Sequence, residues 1–432
     1  MLLSGWAQKN FMPATQEVHT LLDKLIAPLK SLILSSQKRR NCPVLEDEDW
    51  IKAGVLRVLS NETSSRGFLQ QLADQLQTRI ARSSFFKTLR SARRLAFCQH
   101  LNEAFARGYK SPNPDPLSDF ASLARYDIYA GDGHYRAAAT HDRRTGGKKY
   151  AVGHFYTLDV RNEMLTHLDS MVEEPGRKKE HDMHLLKRMS IRQLRQGASK
   201  GRKVLYVWDR AGIDFAQWFK WKQASGIYFL SLEKKNMKLR PMGLCGFDLN
   251  SSINVGVVAD ELVGTDSGVM MRRVSYQCPD SDEVFHFVTS VLDVDPGLIA
   301  HLYKMRWKIE KVFDELKTKL SEKKAWASST VARNMQANFT CLVHNLMVVL
   351  EEELAEDDEV HDKGELTRRK NRHRQLNQRV KSKGKQLPLA QQTVARPTQR
   401  TQKFIRWLRN HCWIQASWPQ ARRALKRIYA TC

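Results

Sequence analysis

The sequence predicts an α/β fold with helical flanks, and two changes of periodicity together with one helix start carry that expectation. Before about residue 107, apolar residues recur at three- and four-residue steps, as in VHTLLDKLIAPLKSLIL, DWIKAGVLRVL and GFLQQLADQLQTRI, which is helical spacing. From Arg125 to Leu232 they alternate or run in short compact blocks, the signature of strands. The helix start is Asp295-Pro296: Asp accepts from the free N–H groups of a first turn, and Pro has none to lose there.

Taken in order, the helical N-terminal region ends in RGYKSPNPDPLSD, where Pro112, Pro114 and Pro116 forbid a continuous helix. Within it, Arg79, Arg82, Lys87, Arg90, Arg93 and Arg94 accompany Phe85 and Phe86. That mixture suits a helix docked on a DNA backbone, and equally a solvated basic helix. Next, RYDIYAGDGHY, KYAVGHFYTLDV and EMLTHLDSM read as a three-strand meander, its first turn supplied by Thr145-Gly146-Gly147. The charged segment KKEHDMHLLKRMSIRQLRQ reads as helical and KVLYVWDRAGIDF as a buried strand ending in Asp209; FAQWFKWKQAS as a helix and GIYFLSL as a strand complete the block.

From Glu233 to Val294 the chain carries β-prone pieces, INVGVVADEL, GVMMRRVSYQ and EVFHFVTSV, between turn residues. The expected organisation is a helical DNA-binding domain over 1–115, an α/β core over 116–232 and 295–355, a β-rich insertion over 233–294, and a basic linker with a helical C-terminal region over 356–432. VARNMQANFTCLVHNLMVVLEEEL forms a long helix of the core. After it, Lys363 to Lys403 holds thirteen Lys or Arg against the single acid Glu365. Such a stretch is expected to be a solvated, mobile segment that clings to nucleic acid.

Composition narrows the partners. A formal charge of +25 and a pI near 9.8 call for a polyanion. No apolar run approaches the roughly 20 residues of a membrane span, and MLLSGWAQKNFMPATQE lacks the charged start and apolar block of a signal peptide, so a cytoplasmic protein is expected. The seven cysteines, among them Cys42 and Cys432, contain no CxxC pair and suit reduced thiols. His181 and His184 stand at helical spacing without a third ligand nearby and read as surface histidines.

On the helix begun at Asp295, Leu302, Met305, Ile309, Val312, Phe313, Leu316 and Leu320 share an apolar face, while Tyr303, Arg306, Glu310 and Lys317 fall within about 60° of one another beside it. An ordinary basic helix can align its charges this way by chance. The stripe also suits phosphodiester chemistry, with Glu310 on a divalent metal and the cations on phosphate.

The spacing Tyr303-x2-Arg306-x3-Glu310-x6-Lys317 resembles the signature of the cut-and-paste group of bacterial insertion-sequence DDE transposases. The resemblance implies a ribonuclease-H-like core, and the strand-strand-strand-helix-strand-helix-strand order read above is the one that core requires. It further implies a catalytic, metal-binding triad of Asp132, Asp209 and Glu310 holding two Mg²⁺ or Mn²⁺ ions, with Tyr303, Arg306 and Lys317 on transposon-end DNA. Partners would be the terminal inverted repeats, target DNA and a second copy of the chain, in the nucleoid. Asp132-Gly133-His134 departs from the Asp-Gly-Thr or Asp-Gly-Ser of the family, and Ala211 stands where Gly is usual in its second motif. Asp127, Asp214 and Asp314 remain alternatives within the triad. In place of the Trp that some relatives use to hold a flipped base, either an aromatic of residues 233–294 such as Tyr276 or Phe285 serves or the base is not held this way; Trp208 reads as core. Two other functions stay open: an inactive or repurposed DNA-binding relative, and another ribonuclease-H-like nuclease.

Overall fold

A computed structural model describes residues 19–35, 45–62, 64–76, 80–144, 147–172, 180, 182–320, 322–356, 359–388 and 397–430. The stretch before residue 19, Cys42, Arg79, the Thr145-Gly146 turn, His181 and Cys432 lie outside them. Among the described residues no helix is long and apolar enough to cross a membrane.

The N-terminal helices are α1 (Leu21–Ile26), α2 (Lys30–Ser35), α3 (Asp47–Leu59), α4 (Ser65–Leu76), α5 (Arg82–Leu89) and α6 (Ala92–Gly108). The expected basic block breaks into α5 and α6 because Ser91 caps α6, its side chain accepting from the Arg94 N–H. This turns part of the block inward. Arg93 makes a two-pronged bond to Asp47 at 3.0 and 2.8 Å, and Arg94 donates to the Leu45 carbonyl at 2.5 Å over the Trp50 ring.

The core sheet has nine strands: β1 (Tyr126–Arg136), β2 (Val152–Asp159), β3 (Leu165–Ser170), β4 (Lys203–Val207), β5 (Ile227–Leu232), β6 (Arg240–Leu244), β7 (Val257–Gly264), β8 (Met270–Gln277) and β9 (Val284–Thr289), in the order β3-β2-β1-β4-β5-β9-β8-β7-β6. β1, β2 and β3 form the antiparallel meander, and β4 lies parallel to β1. The strands after β5 do not form a separate layer. β9 returns antiparallel to β5, so β6 to β9 extend the same sheet. Sequence periodicity missed β6: every one of its residues is exposed, which leaves no alternation to read.

Helices α7 (Asp182–Arg188), α8 (Ile191–Leu194) and α9 (Phe215–Ser225) connect the central strands. The helix expected from Asp295 to Leu320 is three pieces: α10 (Pro296–Met305), α11 (Trp307–Asp314) and a π turn over Glu315–Lys319. Its apolar face is buried as the spacing requires. α12 (Thr330–Glu356) is buried along most of its length and packs against β3, α6 and α3. Gly54 of α3 lets it come close, since a Cβ there would sit 2.0 Å from the Phe339 ring of α12.

The C-terminal third also departs from expectation. Lys363–Ser382 is a 20-residue helix, α13, not a mobile segment; Asp362 caps its start by accepting from the Glu365 N–H. α14 (Gln402–Trp413) and α15 (Trp418–Ala430) then pack on α1 and α3, and the Leu21 N–H donates to the Ala416 carbonyl at 2.9 Å. Arg400 is fully buried. Its guanidinium stands 3.8 Å from Glu315, 3.3 Å from Glu351 and 3.9 Å from Glu163, while its N–H donates to the Glu315 carboxylate.

A guanidinium so placed binds the π turn, the β2–β3 turn and α12 to the C-terminal region. Removing one partner of a buried ion cluster strands the others at a cost of about 3–5 kcal/mol. Arg400→Ala should lower unfolding stability by that order in urea titration; a loss below about 1 kcal/mol would show that the cluster holds nothing together.

Candidate active site

Two strand ends bring the acids together. The last paired residues of β1 and β4 are Ala130 and Val207, so continuing the parallel register by two residues sets Asp132 beside Asp209. Asp132 lies in the part of β1 that runs past β4, where its Oδ1 accepts from the Gly133 N–H at 2.8 Å. Asp209 starts a single helical turn and accepts from the Ala211 N–H at 2.8 Å, while Ser231 of β5 donates to its carbonyl at 2.8 Å. Both backbones are held.

Glu310 arrives on α11, which packs on β1. Arg306, at the break between α10 and α11, donates to Glu310 Oε1 at 2.6 Å and lies 3.8 Å from Asp132 Oδ2. Being only 5% exposed, it is a nearly desolvated guanidinium between two carboxylates. Tyr303 and Trp307 flank it, their ring centroids 5.5 and 5.3 Å from its carbon. Tyr303 in turn rests on Phe287, which stacks on Phe285, so an aromatic row leads from the sheet extension to the acids. Tyr276 faces Phe285 across the β8–β9 pair and packs over Gly256.

The electrostatics follow from this crowding. Burial pushes the Asp132 carboxyl up to about 7, helped by the negative charges of Asp209 and Glu310 and opposed by Arg306 and the Gly133 N–H. Asp182, at the start of α7, is pushed up to about 6 by burial, Asp209 and Glu180. Sequence reading missed Asp182. Its Oδ1 lies 3.2 Å from where a Cβ on Gly133 would stand, so it belongs to the same acidic neighbourhood. In the sequence it is one acid in a charged helix, with no spacing to single it out.

The remaining candidates have local explanations. Asp127 pairs with Arg202 at the other end of β1, Asp214 caps α9 and pairs with Lys187 at 2.6 Å, and the exposed Asp314 accepts from Gln399 at 2.9 Å. Trp208 is core, stacked on Phe229. His134, the third residue of Asp132-Gly133-His134, stacks on Phe313 with centroids 4.6 Å apart. Burial, with Arg136 and Lys317 nearby, pushes it down to about 3, so it is a neutral packing residue. Lys317 is exposed in the π turn, so the straight-helix stripe that aligned it with Tyr303, Arg306 and Glu310 is interrupted twice. Extra residues per turn of this kind recur at functional sites.

Among the described residues, no three His, Cys, Asp or Glu side chains stand close enough to hold one ion between them. The chemistry of the donor set nonetheless fits a hard divalent cation. Asp132, Asp209 and Glu310 offer only carboxylate oxygens, and the excess negative charge that raises Asp132 is what a cation would neutralise. Arg306 supplies part of that positive charge.

Residues 132–346, just under half of the chain, match the family model described as the transposase DDE domain. That stretch begins at Asp132 and contains Asp209 and Glu310. No curated protein matches the chain.

A raised carboxyl has a signed consequence. The unfolded acid releases its proton near 3.8 and the folded one near about 7, so its contribution to stability is full below the lower value and is lost as pH rises to the upper one. Asp132→Asn keeps the uncharged form. In chelator, it should leave stability nearly unchanged at pH 4 and raise it by about 4 kcal/mol at pH 8, read from denaturant midpoints. A gap independent of pH would refute the crowding.

Proposed function

We propose that the chain is a DNA transposase of the DDE type, with Asp132, Asp209 and Glu310 as its catalytic residues. One observation carries this reading: the parallel β1–β4 register sets two acids side by side, inside the stretch matching the transposase DDE domain, with the third linked to the first through Arg306. The order of β1 to β5, 3-2-1-4-5, supports a ribonuclease-H-like core, and β6 to β9 are its insertion.

Asp132, Asp209 and Glu310 would hold Mg²⁺ or Mn²⁺, two ions in the reading favoured here. Bound there, such ions supply Lewis-acid stabilisation and lower the pKa of a water or a 3′-hydroxyl. Ser231 and the Ala211 N–H keep Asp209 fixed, and the Gly133 N–H does the same for Asp132. Arg306 holds Glu310 through one oxygen until a phosphate offers its guanidinium a two-oxygen partner. Lys317, exposed on the π turn, is free to reach DNA, and Tyr303 presents a partly buried ring beside Arg306 along the aromatic row. Such chemistry cuts at transposon ends and joins the freed 3′-hydroxyls to a target, which requires two protomers to bring two ends together.

The test is a linear DNA carrying the terminal repeats that flank the coding region, incubated with the protein and Mg²⁺ or Mn²⁺. Cutting at the repeat boundary is expected. Asp132→Ala, Asp209→Ala and Glu310→Ala should each reduce it by at least 10³-fold, about 4 kcal/mol of barrier, while DNA binding persists. Specific binding without cutting would mark a repurposed relative, and cutting independent of the repeats another nuclease; either outcome contradicts the proposal.

A further inference from the structure

Helix α13 is hard to explain as packing. It carries eight Lys or Arg against one Glu, and Val380 is its only fully buried residue. A helix with so little apolar surface gains almost nothing from the core, yet it is capped and internally paired at its start and tied to the sheet at its end. At its start Asp362 is the cap, and Arg368 and Arg372 share Glu365 at 3.0 and 3.1 Å. Beyond its end, Lys383 reaches Asp282 at 3.0 Å and Lys385 pairs with the same carboxylate. Arg379 in the last turn meets Asp280 at 3.2 Å. Both acids belong to the turn between β8 and β9, so the helix is tied to the sheet extension.

Anchoring consumes the cations on one side and leaves others. Lys370, Arg374 and Lys381 are exposed. At 100° and 1.5 Å per residue they fall within about 40° of one another, about 6 and about 10 Å apart along the axis. This is a line of cations whose long side chains can meet successive phosphates of a duplex, which carries one charge per about 3.4 Å of axis on each strand.

We infer that the exposed face of α13, centred on Lys370, Arg374 and Lys381, is a preformed surface for the backbone of double-stranded DNA, independent of base sequence. The inference rests on the reading of the chain as a DNA enzyme, but concerns binding outside the acidic centre. Charge complementarity selects the partner. An extended row on a straight helix follows a polyanion that is itself extended and regular, and the absence of Phe, Tyr and Trp along α13 removes the stacking that single strands require.

The test uses the full chain, a random-sequence duplex without terminal repeats, and chelator, so that neither end recognition nor cleavage enters. Binding is followed by fluorescence anisotropy across a salt series. The triple variant Lys370→Glu, Arg374→Glu, Lys381→Glu should bind at least tenfold more weakly at 100 mM salt. Its slope of log K against log salt should be shallower by about 2–3, near 0.9 for each phosphate that is no longer neutralised. The milder Lys370→Gln, Arg374→Gln, Lys381→Gln should show the same change of slope with circular dichroism and melting unaltered. The control Arg192→Glu, Lys200→Glu, Lys220→Glu makes the same change in net charge outside α13 and should keep the wild-type slope. Failure of the wild type to bind random duplex, an unchanged slope in both α13 variants, or an equal loss in the control would each overturn the inference. A protein that binds through α13 but does not cut transposon ends would leave this inference standing while removing the enzymatic one.

Discussion

The parallel pairing of β1 with β4 is the constraint on which the rest of the structure depends. It places Asp132 and Asp209 at neighbouring strand ends, where burial and like charge together oppose the ionisation of Asp132. Two carboxylates in that position need compensation. Part of it comes from the backbone, through the Gly133 and Ala211 N–H groups, and part from Arg306, which reaches Asp132 while bonded to Glu310. The third acid is therefore brought in on the same guanidinium that tempers the first.

This arrangement explains why the helix from Asp295 is not straight. Arg306 sits at a break in it, where the hydrogen-bond pattern tightens to three-residue steps, with the Arg306 N–H donating to Tyr303 and the Ile309 N–H to Arg306. The π turn that follows buries Glu315 under Arg400 and leaves Lys317 on the surface. Packing and charge thus divide the helix between them: the apolar face binds it to the sheet, and the irregular turns orient its ionic side chains.

Much of the fold is legible in the sequence because burial imposes periodicity. β1 to β5, α9, α12 and the apolar face of α10 and α11 all announce themselves by alternation or three- and four-residue spacing. β6 does not, being wholly exposed. The helical state of α13 is hidden because composition alone describes a solvated chain, whereas its ion pairs to Asp280 and Asp282 depend on residues about a hundred positions away. The burial of Arg400 and Glu315, and the nearness of Asp182 to Gly133, are likewise long-range facts with no local spacing. Of the candidate site, the residue types could be named in advance, through the family resemblance. The place of Arg306 between two acids could not, since a helical wheel shows which side chains share a face but not which one turns inward.

The central claim is that Asp132 and Asp209 belong to one electrostatic unit, and a double-mutant cycle on folding stability tests it most directly. Asp132→Asn, Asp209→Asn and the double variant are unfolded in denaturant at pH 8 in chelator. If the carboxylates repel each other as their placement requires, the stabilisation by Asp132→Asn shrinks by about 1 kcal/mol or more when Asp209 is already Asn. Additivity within about 0.3–0.5 kcal/mol, the behaviour of independent sites, would mean that the two acids do not share a centre.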